Sequence, residues 1–109
     1  WKLAVIEAGL GGLLLGKLSS SPGPLASGEV LVTRPSPESL LSVTDEYRLT
    51  RKAEVGLGVS LQPGPEKQEI YIALITPEGA QQFYRPYGGP PAYGPRFAMN
   101  HCLNLLRNL

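Results

Sequence analysis

Lys2–Leu18, KLAVIEAGLGGLLLGKL, is the stretch whose reading decides the fold. Leu3 to Ala8 is a short, continuously apolar run interrupted only by Glu7, the pattern of a strand buried on both faces. Gly9, Gly11 and Gly12 then allow a tight turn. Leu10, Leu13, Leu14 and Leu18 follow the i, i+3, i+4, i+8 spacing of one buried helix face, which predicts a helix over 10–18. A strand, a glycine-rich turn and a helix start form the unit in which α/β proteins place binding sites. The turn contains no nucleophile, no histidine and no metal-ligand set.

Working outward, Ser19-Ser20-Ser21-Pro22-Gly23-Pro24 ends that helix. Glu29–Thr33 is a second strand, stopped by Pro35-Ser36-Pro37, and Ser36 is placed to cap a short helix from Pro37 to about Val43. Asp45–Lys52 is charged and is assigned a helical turn. Val55–Leu61 and Glu69–Thr76 are further strands, the second without alternation and therefore central. Thr76-Pro77-Glu78-Gly79 turns into a polar edge strand, Ala80–Arg85, that ends at Pro86. Gly94 is placed to cap a final helix starting at Pro95, with Met99, Cys102, Leu103, Leu106 and Leu109 as its apolar stripe. The order β-α-β-α-β-β-β-α predicts one three-layer α/β domain over residues 1–109: a mixed sheet of about five strands flanked by helices.

The totals narrow the function classes. Ten Lys+Arg against nine Asp+Glu leave a net charge of +1, too weak a field for nucleic acid or an anionic membrane. The apolar N-terminus lacks a basic n-region, is broken by Glu7 and by glycines, and reads neither as a signal peptide nor as a membrane span. A single cysteine, Cys102, rules out an internal disulfide and fits a reducing, cytoplasmic compartment. The first residue is Trp1, and the first strand begins almost at once. The expectation is a domain cut from a longer chain.

Four motifs in order carry a resemblance to a known family. Ala4-Val5-Ile6-Glu7-Ala8-Gly9-Leu10-Gly11-Gly12-Leu13-Leu14 is the first, and Gly28-Glu29-Val30-Leu31-Val32-Thr33-Arg34-Pro35 the second. Ala53–Pro65, AEVGLGVSLQPGP, is the third, and Ile70–Gly79, IYIALITPEG, matches best. Across nearly its whole length the chain resembles the C-terminal domain of CinA, the competence/damage-inducible protein, and so the nicotinamide-nucleotide amidase family. The resemblance implies a layered α/β fold and an amidase that releases ammonia from nicotinamide mononucleotide with a serine assisted by lysine and tyrosine. It also implies a molybdopterin-binding-like neighbour domain. The departures are at the chemistry. Ala8 stands where the family has its serine, and Leu10 where it has threonine. Thr33 or Arg34 replaces the tyrosine, Ser60-Leu61 replaces Thr-Gly, and the family's long second helix is shortened or deleted.

Alanine can neither attack nor donate a hydrogen bond. Ser60, at the end of its strand, is the nearest candidate replacement nucleophile, with no lysine or histidine set beside it by the sequence. The ligand-binding candidates are Glu7, Gly9, Gly11, Gly12, Arg34, Ser60 and Gly64, which would hold a nucleotide or other small anion through backbone N–H groups and the Arg34 guanidinium. The competing structural reading makes the glycines a tight turn and Glu7 a cap for the helix that follows. GGLLLGK, Gly11–Lys17, copies the spacing of a phosphate loop but puts Leu18 where Ser or Thr must hold magnesium. A dinucleotide fingerprint fails because Leu14 takes its third glycine. His101-Cys102 lacks partners for a metal, and no cofactor is expected. Pro90-Pro91-Ala92-Tyr93 spells a WW-domain ligand but also serves as a connector. The expected role is a non-catalytic accessory, regulatory or dimerisation module of a larger protein, possible as a homodimer. A divergent amidase and a closed-cleft interaction module are the alternatives.

Overall fold

In the computed structural model, residues 1–20 and 22–109 are described; Ser21, inside the run expected to end the first helix, lies outside the described residues. Strand β1 (Leu3–Ala8) is buried at every position and sits in the interior of a five-stranded sheet. Strand β2 (Leu25–Leu31) lies parallel to it on one side and β3 (Val55–Pro63) parallel on the other. β4 (Gln68–Thr76) and β5 (Gly79–Tyr87) add as antiparallel hairpins, giving the order β2-β1-β3-β4-β5. Helices α1 (Leu13–Ser19) and α3 (Gly94–Arg107) cover one face, and α2 (Leu40–Thr50) covers the other. This is the three-layer α/β domain that the pattern of elements calls for.

The main core lies under α1 and α3. There Leu3, Val5, Leu57, Val59, Leu61, Ile70, Ile72 and Leu74 meet Leu14, Ala98 and Cys102. On the other face the sheet is thinned by glycine so that α2 can sit close. A Cβ at Gly58 would run into the Thr44 hydroxyl, and one at Gly56 would stand 3.0 Å from Arg48 Cβ.

Four elements differ most from the sequence reading, and α3 also starts one residue early, at Gly94 with Tyr93 as its N-cap in place of Gly94. Helix α1 starts at Leu13, since Gly11 and Gly12 have φ of +65° and +87° and belong to the turn. Strand β2 spans 25–31 instead of 29–33, and Val32 is fully exposed. Its centre is Gly28, a poor strand former, over which the Leu15 side chain of α1 lies where a Cβ would stand. Helix α2 is one 11-residue helix, so the expected helix to Val43 and the separate turn after it are a single element. The second helix is therefore present. Ser36 does not cap it by its side chain: its hydroxyl donates to Ser39 Oγ at 2.9 Å, and its carbonyl accepts from Leu40 N. The helix ends on Lys52 in the left-handed region (φ 56°), with Ala53 N bonding back to Arg48 O and Lys52 N to Leu49 O. Finally, β5 runs on through Pro86 to Tyr87. As an outer strand it has no ladder partner on its free side to miss the proline N–H.

Candidate functional site

The chain leaves β1 for β2 across the α1 face, and leaves β2 for β3 across the α2 face. The C-terminal ends of β1 and β3 are therefore the point where the connections diverge, the usual place for a crevice in such a sheet. Ala8 and Ser60 are register partners at that point. Both are fully buried.

Alternation along the strands splits the candidate residues between the two faces. Glu7 points to the α1 side. Its carboxylate is completely buried and accepts from Gly12 N at 2.7 Å through Oε1 and from Leu15 N at 2.8 Å through Oε2. Those are N–H groups of the first turn of α1, which have no partner inside the helix. Glu7 thus occupies, from within, the place an anion would take at this helix start. Ala8 and Ser60 lie on the opposite, α2 face, as does Gly58 against Thr44. The sheet itself separates Glu7 from Ser60.

A strap closes the crevice from above. The segment after β2 crosses the end of β3, where Arg34 Nε donates to Leu61 O at 2.7 Å and Gln62 Nε2 donates to Pro35 O at 3.0 Å. The same amide stands 3.5 Å from Ser60 Oγ, the only side-chain partner that hydroxyl has among the described residues. Gly9 is pressed into this contact. A Cβ there would be 2.5 Å from Leu61 O and 3.1 Å from Arg34 Nε, and φ is +86°. Gly9, Arg34 and Ser60 are thus brought to one end of the sheet, whereas Gly64 sits beyond the last β3–β4 pair, Pro63–Gln68, in the hairpin loop. Gln62 was not among the candidates. Its one sequence signal is a polar residue closing an apolar strand just before Pro63-Gly64-Pro65.

No protein-family model matches this sequence, and no curated protein matches it. Solved structures do. A competence-damaged protein (CinA) superfamily protein from Escherichia coli superposes with a TM-score of 0.78 at 17% identity, over 99% of this chain and 80% of that one. Another from Enterobacter cloacae gives 0.77 at 18% identity, over 96% and 79%. The competence damage-inducible protein A (ComA) of Klebsiella pneumoniae gives 0.77 at 15%, over 97% and 84%. The fold is CinA-like.

In this CinA-like domain the remaining chemistry-bearing residues lie away from the Ala8–Ser60 strand ends. Cys102 is fully buried against the core, and burial first, then the negative charge of Glu7, pushes its thiol well above the ordinary range. His101 packs edge-on against Phe97, ring centroids 4.6 Å apart. Partial burial, then the neighbouring Arg85 charge, lowers its pKa. Among the described residues no group of three potential metal ligands exists, and no helix is long and apolar enough to cross a membrane. Pro91–Tyr93 forms a single 3-10 turn leading into α3, with Tyr93 N bonded to Pro90 O. The WW-ligand spelling therefore falls on a turn and not on an extended polyproline segment.

Proposed function

We propose that this chain is a non-catalytic CinA-like domain that acts as an accessory, regulatory or dimerisation module of a larger protein, with a molybdopterin-binding-like domain as its covalent neighbour. The neighbour comes from the family resemblance alone. The observation that carries the non-catalytic reading is the filled crevice: Ala8 and Ser60 are both buried beneath the strap held by Arg34 and Gln62. Amide hydrolysis needs an activated nucleophile, a base and donors for the oxyanion. Ser60 has an amide at its side, and an amide takes no proton at neutral pH. Glu7 already satisfies the N–H groups that would have cradled a phosphate, and the Nε–H of Arg34 is engaged by Leu61 O.

The test is ammonia release from nicotinamide mononucleotide. No release above a boiled control is expected. Release that scales with protein concentration and disappears in Ser60→Ala would overturn the reading in favour of a divergent amidase. Thermal melting with the same nucleotide separates silent binding from none, because a ligand selective for the native state raises the midpoint by mass action.

A further inference from the structure

Helices α1 and α3 run side by side in the same direction. Leu10 and Leu13 line one surface hollow with Met99 and Pro95, and Leu18 lines another with Leu103 and Leu106. Between α1, from the Leu10 turn to Ser20, and the first turns of α3 lies an open trough of about 680 Å³ with Leu10, Leu13, Gly16 and Met99 along it. Gly16 is exposed and leaves a notch in which a partner's backbone can approach closely. Lys17 stands on the α1 bank and Arg96 on the α3 bank, both exposed. Arg48–Asp45 is the one ion pair among the described residues, so neither bank cation has an acidic partner. The apolar strip continues past the trough: Val30 Cγ2 is 3.8 Å from the Cβ position of Gly12, and Leu13, Val30 and Val32 are 39%, 47% and 100% exposed.

We infer that this trough seats the apolar face of an acidic amphipathic helix from a partner protein. An apolar floor between two unpaired cations matches a helix with leucine-type residues at i, i+3/i+4 and i+7 and glutamates along its flanks. The trough is open along its length, whereas small-molecule sites enclose most of their ligand, which favours a peptide. The inference rests on reading the chain as a non-catalytic accessory module, and its failure is separable from failure of that reading. Nucleotide turnover overturns the non-catalytic reading, while loss of peptide selectivity without turnover overturns only the trough.

The probes are two labelled helical peptides of equal length and equal leucine spacing, one flanked by Glu and one by Lys, titrated into the 109-residue chain by fluorescence anisotropy. The Glu-flanked peptide is expected to bind, and amide NMR shifts to move around 10–17 and 95–99. The Lys17→Glu/Arg96→Glu double variant should weaken that peptide by about tenfold or more and accept the Lys-flanked one, since charge complementarity selects partners. Gly16→Leu should fill the notch and weaken both. All three positions are exposed, so unchanged melting confirms that each variant folds. No binding of the Glu-flanked peptide up to about 1 mM, equal affinity for the two peptides, or shifts confined to another surface would each overturn the inference.

Discussion

Replacing Glu7 tests most directly whether the opening turn is structural. Its carboxylate accepts two backbone N–H groups, at 2.7 and 2.8 Å, in a site without solvent exposure. A hydrogen bond to a charged group contributes about 1.5–3 kcal/mol net. Glu7→Ala removes both bonds and leaves Gly12 N–H and Leu15 N–H facing a void, at a cost of about 3–5 kcal/mol once the relieved desolvation of the charge is subtracted. In a domain of this size that lowers the melting midpoint by about 15–25 °C. Against a total stability of about 5–15 kcal/mol, the alanine variant is close to unfolding. Glu7→Gln is therefore the decisive variant. Its carbonyl can accept one N–H, but its NH2 group must face the other, a donor against a donor, for a loss of about 2–3 kcal/mol. Urea denaturation followed by circular dichroism measures both. A residue kept for a ligand behaves oppositely, since removing a buried functional charge commonly leaves stability unchanged or raises it. A Gln variant within about 0.5 kcal/mol of the parent would refute the capping argument.

Two further outcomes follow from the same geometry. Gly9→Ala meets both a forbidden backbone and a carbonyl 2.5 Å from the new methyl, whereas Gly11→Ala meets only the backbone term, with φ +65° and open space around it. Gly9→Ala should cost about 2–4 kcal/mol and Gly11→Ala about 1–2 kcal/mol; equal shifts in urea midpoint would contradict the close packing at Gly9. Cys102 is buried and its thiol is held protonated, so at mildly alkaline pH iodoacetamide should label the protein only as fast as it unfolds. Rapid stoichiometric labelling of the native protein would mean that the α3 face opens.

The sheet was legible because its signals are local. Apolar runs at 3–8, interrupted only by Glu7, and at 70–75 read as buried strands, and β1, β3 and β4 lie within one or two residues of their expected ends. Misreadings gathered where a distant contact sets the local structure. Gly28 weakens β2 as a sequence signal, yet it is the residue that lets Leu15 pack. Thr44 is a poor helix former whose hydroxyl returns to Leu40 O at 2.7 Å, yet α2 runs through it because its side chain fits the gap above Gly58. Nothing local marks Lys52 as a left-handed helix end.

The candidate site divides in the same way. Its position, at a glycine turn between a buried strand and an amphipathic helix, is written in Lys2–Leu18, and so is the alanine at position 8, whose side chain carries no nucleophile. Which residues meet there depends on register and on the side of the sheet. Glu7 and Ala8 are neighbours in the chain but face opposite layers, because side chains alternate along a strand. Ala8 and Ser60, separated by 52 positions, are partners because β1 and β3 pair in parallel. Residue types and spacing determined that this turn carries no nucleophile or metal set. Only the tertiary structure decided that its helix end is already occupied by Glu7 and its crevice already covered by Arg34 and Gln62, since both depend on hydrogen bonds that cross between elements.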